Sequence, residues 1–141
     1  MKFISLIIFG FIGMEILSYA VHRWLFHGVF WRVHKTHHTA RKGAFEANDI
    51  FSLVFSLFSI FLMIWGNPIS VPISLGIAIY GIFYFIAHDF FTHRRFLPFK
   101  SDNKFLLTIR AAHQKHHQSA EKHGLEPFGL FLFNYKKFSR R

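Results

Sequence analysis

No charged residue occurs between positions 50 and 87, and this run of 38 residues limits the fold more than any other feature of the chain. As one helix rising 1.5 Å per residue it would reach about 57 Å, nearly twice the roughly 30 Å hydrocarbon thickness of a bilayer. Gly66-Asn67-Pro68 lies near its middle and Pro72 follows; Gly and Pro are the strongest breakers of a regular pattern. The run therefore predicts a helical hairpin, one helix over 50–65 and a second over 69–87. A third apolar run covers 3–21 and carries a single charge, Glu15. A chain of 141 residues is too small to bury three such runs on every side. The expected fold class is an all-α integral membrane protein with three transmembrane helices, forming one domain over 1–141.

Charge sets the expected orientation. The chain has 17 Lys and Arg against 7 Asp and Glu. Only Lys2 precedes the first span; the other 16 lie between spans one and two or after span three. The positive-inside rule then places the N-terminus outside, the C-terminus inside, and segments 22–48 and 88–141 in the cytoplasm, so that the protein sits in the cytoplasmic (inner) membrane. A cleaved signal peptide ending at Ser18-Tyr19-Ala20 would require export of Arg23, Arg32, Lys35, Arg41 and Lys42, with Glu15 inside the apolar region. A basic face beside anionic lipid headgroups accounts for the net charge of +10, and no nucleic-acid partner is needed. Within the cytoplasmic part, 101–118 predicts an amphipathic helix with Ser101 as its N-cap. The apolar stretch 127–135 is too short to span and is expected at the interface or packed on the rest.

The chain has no cysteine, which removes disulfides, thiolate ligands and a cysteine nucleophile. It has 11 histidines, ten of them in four clusters. His22 and His27 form HxxxxH, and His34, His37 and His38 form HxxHH. The order then recurs: His88 and His93 form HxxxxH, and His113, His116 and His117 form HxxHH. On an α-helix, i, i+3 and i+4 lie within about a 100° arc, so each HxxHH is expected to aim three imidazoles one way. An i, i+5 pair is separated by about 140°, so HxxxxH should straddle two metals or sit where a helix bends or ends. Each HxxxxH closes a span and each HxxHH follows on the same side, so all ten can meet at one depth. Unpartnered imidazoles are costly to bury in such number, and a single ion takes at most about six ligands. Two metals with about five imidazoles each, and an open position for a small molecule, fit the count. Imidazole suits iron, zinc, copper or nickel, and spacing does not choose among them.

Metal-bound imidazoles need hydrogen-bond acceptors behind them. Glu15, Glu46, Asp49 and Asp89 are the candidates: Glu15 is seven residues before His22 and on the same helix face, and Asp89 adjoins His88. For Glu46 and Asp49 a role at the start of the second span competes. His123, before Gly124, stands apart and reads as exposed or capping.

The four histidine clusters in this order resemble those of the integral-membrane fatty acid hydroxylase superfamily. Within it, Gly13-Met14-Glu15, residues 41–49 (RKGAFEAND) and residues 80–95 around His88-Asp89 resemble the bacterial β-carotene 3-hydroxylases. The resemblance spans about the whole chain, and 41–49 is its more specific part. It implies a non-haem di-iron centre on His22, His27, His34, His37, His38, His88, His93, His113, His116 and His117, with O2 as co-substrate. It also implies hydroxylation of the β-ionone rings of β-carotene, held in the bilayer, to β-cryptoxanthin and zeaxanthin. Zinc can replace iron on such ligands in a recombinant preparation. Some of the 21 Phe would line the substrate's path, most facing lipid or core. The sequence shows no Gly-rich phosphate loop or dinucleotide fingerprint, so electrons must come from another protein. A basic face would attract an acidic carrier such as ferredoxin, itself served by a reductase. A fatty acid or sterol hydroxylase or desaturase shares the scaffold and is the nearest alternative. A metal-ion transporter is the alternative from another class, but it would need polar groups along the whole path, and here they gather at one end. Oligomeric state is left open.

Overall fold

The structure, a computed structural model, describes residues 1–39 and 43–139. Arg41 and Lys42, which open the 41–49 motif, lie outside the described residues, as do Arg140 and Arg141. The described residues form helices and loops with no strand: α1 Lys2–Ala20, α2 Trp31–His38, α3 Asp49–Trp65, α4 Ser70–Tyr84, α5 Lys104–His116 and the short α6 Tyr135–Phe138. Two of these run on without interruption into π-helical turns, Val21–Phe26 after α1 and Phe85–Thr92 after α4. With these extensions, Lys2–Phe26 has 25 residues and Ser70–Thr92 has 23, and both are long and apolar enough to cross a membrane. The second therefore runs five residues past the expected end at 87. At 17 residues, α3 reaches about 26 Å.

The hairpin between α3 and α4 turns where the sequence breaks. Gly66 ends α3 at φ +71°, a left-handed conformation that glycine adopts without steric cost. Asn67 then starts α4: its Oδ1 accepts from the amides of Ile69 at 2.8 Å and Ser70 at 2.7 Å. Pro72 sits in the first turn of α4, where a missing N–H costs no helical hydrogen bond.

Against α4 lies α1, running the same way: Gly10 meets Ile73, and Glu15 meets Tyr80. Their crossing is close because both sides are glycine. A Cβ on Gly10 would lie 2.4 Å from the Ile73 carbonyl oxygen, and one on Gly76 would lie 2.1 Å from that of Ile7. Small residues that let backbones touch are the usual means of packing helices in lipid, where the surroundings are as apolar as the side chains. Met14, Ile77 and Tyr80 form the buried core of this contact, with Phe11 and Phe131 packed on it. Outward, Ile8, Phe9, Ile12 and Ile16 on α1 and Leu57, Phe61 and Ile64 on α3 are exposed. An apolar surface this extensive suits lipid, not water.

The remaining segments close the end where α1 and α4 finish. Packed on the π turns after α4, α5 is capped by Asn103, whose Oδ1 accepts from the amides of Phe105 and Leu106. The expected cap, Ser101, lies two residues before the observed one. The apolar stretch 127–135 forms a strap across α1 and α4. Phe128 and Leu130 are buried in it, and Phe131 stacks on Phe11 with centroids 6.1 Å apart.

Candidate metal centre

All ten clustered histidines meet at the end of the bundle, in two groups whose membership the sequence periodicity does not reveal. In the first group, His22, His27, His34, His38 and His116 bring one ring nitrogen each within 4.8 Å of one another. In the second, His37, His93, His113 and His117 do the same. His88 joins the second group, with its Nε2 3.1 Å from that of His37 and its ring centroid 4.5 Å from that of His113. Each group thus takes one HxxxxH pair, the i, i+4 pair of the HxxHH that follows it, and the middle histidine of the other HxxHH. The groups touch: the ring of His38 stacks on that of His117 at 4.4 Å.

Of the two expectations for HxxxxH, the pairs do not straddle two sites but sit where a helix changes register and ends. Both HxxxxH pairs lie in π-helical turns, where the His27 amide donates to the His22 carbonyl at 3.1 Å and that of His93 to His88 at 2.9 Å. A backbone ring closed over five residues stacks i+5 almost above i, so each pair faces one group. In α2 and α5 the geometry is ordinary. There i and i+4 point together while i+3 is rotated toward the neighbouring group, so each HxxHH divides two and one.

Each Nδ1 that meets an oxygen fixes the tautomer of its ring. His22 donates from Nδ1 to the Phe128 carbonyl at 2.6 Å, His27 to that of Lys122 at 2.9 Å, His38 to that of Ser119 at 3.0 Å and His116 to that of Leu125 at 2.5 Å. His34 reaches Asn48 Oδ1 at 2.7 Å, His37 reaches Glu46 Oε2 at 2.8 Å, and His88 approaches Asp89 Oδ2 at 3.4 Å. A carbonyl only accepts, so the proton is on Nδ1 and the lone pair on Nε2. Those Nε2 atoms face one another: His22 and His34 at 3.0 Å, His27 and His116 at 3.2 Å, His34 and His38 at 3.2 Å, His37 and His88 at 3.1 Å. Lone pairs aimed at each other repel. A shared cation removes the repulsion, since two nitrogens at right angles, each about 2.1 Å from one ion, lie about 3.0 Å apart. The Nε2 of His117 is buried without a hydrogen-bond partner, which fits the same role. These residues suit a metal ion in each group.

Electrostatics agrees with that fit. Burial, helped by neighbouring imidazoles, lowers His34 to about 3 and His38 to about 4. Burial also lowers His116 to about 3, and His37 and His113 well below the usual range. All five are neutral at physiological pH, the form that binds a metal.

Of the expected acceptors, Glu46 and Asp89 stand behind imidazoles. Asp49 stands one step back, accepting from the Glu46 amide at 2.9 Å. Glu15 serves elsewhere: Oε2 accepts from the Tyr80 hydroxyl at 2.8 Å, and Oε1 from the amides of Phe131 and Leu132 at 2.9 and 2.7 Å. The shared helix face did not bring it to His22, because the strap runs between. His123 is exposed and outside both groups. Asn48, the carbonyls of Ser119, Lys122, Leu125 and Phe128, and Arg95 carry no signal in the sequence pattern. Any residue has a carbonyl, and Arg95 reads as one more basic residue of the cytoplasmic segment.

A cleft of about 720 Å³ runs between α1, α3 and α4, lined by apolar side chains and by Ser18, Ser52, Ser56 and Ser59. Its walls include Phe26, whose ring lies 5.4 Å from that of His34 in the first group, and Tyr84, stacked at 4.4 Å on His88 in the second.

An α-helical protein whose long apolar helices end in two facing cages of imidazole is a narrow class. The chain belongs to the fatty acid hydroxylase family, whose model matches residues 7–138, and it is an enzyme of that family. It is similar to a beta-carotene hydroxylase of Pantoea ananas, 39% identical over 127 residues that cover 86% of this chain and 71% of the relative. A beta-carotene hydroxylase of Pseudescherichia vulneris is 37% identical over 130 residues, 89% of this chain and 73% of its own. Beta-carotene 3-hydroxylase 1, chloroplastic, of Arabidopsis thaliana is 39% identical over 129 residues, 86% of this chain and 41% of its own. No solved structure matches the chain significantly.

Proposed function

We propose that this chain hydroxylates the β-ionone rings of β-carotene at C3 and C3′, giving β-cryptoxanthin and then zeaxanthin. The observation that carries the reading is the apolar cleft, which leads from the membrane-facing helices to aromatic rings packed on both histidine groups. Its size lies within the range of small-molecule sites, roughly 300–1,000 Å³. An end ring of a bilayer-dissolved hydrocarbon can enter between α3 and α4 while the polyene stays in lipid. The names of the relatives point to the same substrate.

The ten histidines hold two iron ions in this reading, five imidazoles to each. Two iron ions, when bound, would supply reduction of O2, one oxygen atom replacing the ring C–H by C–OH and the other leaving as water with two external electrons and two protons. The chain's own contribution is positional. The carbonyls of Ser119, Lys122, Leu125 and Phe128, with Asn48, Glu46 and Asp89, hold the Nδ1 protons of seven rings and so aim their Nε2 atoms inward. Phe26 and Tyr84 wall the cleft from the imidazoles and exclude water from the ring's path.

The whole chain acts as one domain with three spans, α3 crossing back beside α4. In this reading the N-terminus lies outside and the histidine end on the cytoplasmic side of the cytoplasmic membrane, a placement that the distribution of Lys and Arg supports. Ferredoxin with its reductase supplies the electrons at that basic face.

Expression in a bacterial host that accumulates β-carotene tests the assignment by pigment chromatography. Zeaxanthin and β-cryptoxanthin should appear with the intact chain and not with His37→Ala. Unchanged β-carotene, with altered membrane fatty acids or sterols instead, would sink it.

A further inference from the structure

The hydrogen-bond acceptors behind the two histidine groups differ in charge. In the first group all five Nδ1 atoms reach neutral oxygens, four backbone carbonyls and Asn48. In the second, His37 and His88 reach the carboxylates of Glu46 and Asp89. One guanidinium lies against both. The Arg95 side chain is 2% exposed, and its Nη1 donates to Asp89 Oδ1 at 2.8 Å and lies 4.0 Å from Glu46 Oε2. Its Nη2 donates to Asp49 Oδ2 at 2.5 Å and to the Ala44 carbonyl at 3.0 Å. Its amide donates to the Asp89 carbonyl at 2.8 Å. Among the described residues, three carboxylates gather around this one buried cation behind the second group, while the acceptors behind the first group carry no charge.

We propose that Arg95 is a positioning residue for the second histidine group alone, and that its carboxylates make this group the tighter of two unequal metal sites. The inference rests on the dimetal reading above. A carboxylate behind an imidazole raises its basicity and fixes its orientation more firmly than a carbonyl does, and nearby negative charge favours a dication. Glu46, Asp49 and Asp89 would repel one another and separate if they were left together without a cation. The planar fork of Arg95 prevents this by bonding Asp89 through one nitrogen and Asp49 through the other, with Glu46 alongside. A lysine, with one nitrogen, cannot span that set.

The test is chelator competition with Zn2+ on detergent-purified protein, which reads metal affinity without turnover. Wild type should bind two ions per chain in two resolved steps. Arg95→Gln, and to a similar degree Arg95→Lys, should weaken the tighter step about 10–100-fold, the range for losing an acceptor behind a ligand, and leave the weaker step in place. Glu46→Gln should act on the same step and keeps the proposal testable if the Arg95 variants do not fold. Asn48→Ala, which removes the acceptor of His34, should move only the weaker step. Equal loss from both steps, no change in either, or tighter binding after Arg95→Gln as freed carboxylates ligate the ion would each overturn the proposal. A wild-type chain that binds no metal would instead defeat the dimetal reading itself.

Discussion

Glu15 and Tyr80 meet inside the helical bundle, carboxylate to hydroxyl at 2.8 Å, and neither of these contact atoms reaches an imidazole. Through its other oxygen Glu15 holds the strap amides of Phe131 and Leu132, and the same strap presents the Phe128 carbonyl to His22. A charge placed in an apolar helix thus acts on the centre through the backbone of a segment more than a hundred positions away.

Glu15→Ala should leave one buried hydroxyl and two partly buried amides without this acceptor. A buried unsatisfied group costs roughly 1–3 kcal/mol and the half-exposed amides cost less, so a loss of about 2 kcal/mol or more is expected. Metal content should fall in the first histidine group before the second. Glu15→Gln keeps an acceptor for both amides and turns its NH2 toward Tyr80, so it should retain most of the stability and metal. Thermal unfolding in detergent and metal analysis check this pair, and equal behaviour of the two variants would contradict it.

Gly124 and His123 make a second contrast from adjacent positions. Gly124 has φ +61°, and a Cβ there would lie 2.6 Å from Cε1 of His27. Gly124→Ala meets both a left-handed backbone, which costs roughly 1–3 kcal/mol for other residues, and the imidazole itself. Displacement of His27 should lower hydroxylation by an order of magnitude or more, with weaker metal binding in the first group. The exposed His123 touches neither group, and His123→Ala should leave most of the activity. Pigment yield at matched expression separates the two outcomes.

The sequence shows plainly what depends on composition along the chain and hides what depends on helix geometry. Gly66-Asn67-Pro68 marks the hairpin because turn chemistry is local. The ten histidines gather at one end because apolar runs and polar segments order themselves against a membrane. Which histidine joins which group is another matter. HxxxxH reads as divergent on an α-helix and becomes convergent only because π turns extend α1 and α4, a change of hydrogen-bond register with no residue signature. Asn103 displaces Ser101 as cap by a two-residue shift that amphipathic periodicity does not resolve. Arg95 is legible only once α3 and the π turns after α4 bring Asp49 and Asp89 to the same guanidinium.

Gly81 offers the sharpest test of the cleft as the substrate's path. It lines the cleft, and a Cβ built on it meets nothing within 4 Å. A methyl group there therefore enters open space, and a larger side chain extends from it at the cleft wall. Removing glycine from a helix interior is itself favourable by roughly 0.5–1 kcal/mol. Gly81→Phe should fold at least as well as the parent and keep its full metal content, because no histidine or acceptor is touched. It should nevertheless convert little β-carotene, since the ring occupies volume that the substrate's end group needs. Gly81→Ala, which adds only one carbon to the cleft, should remain active and shows whether the effect scales with volume. Wild-type conversion by Gly81→Phe, measured beside intact metal binding, would mean that the hydrocarbon reaches the imidazoles by another route.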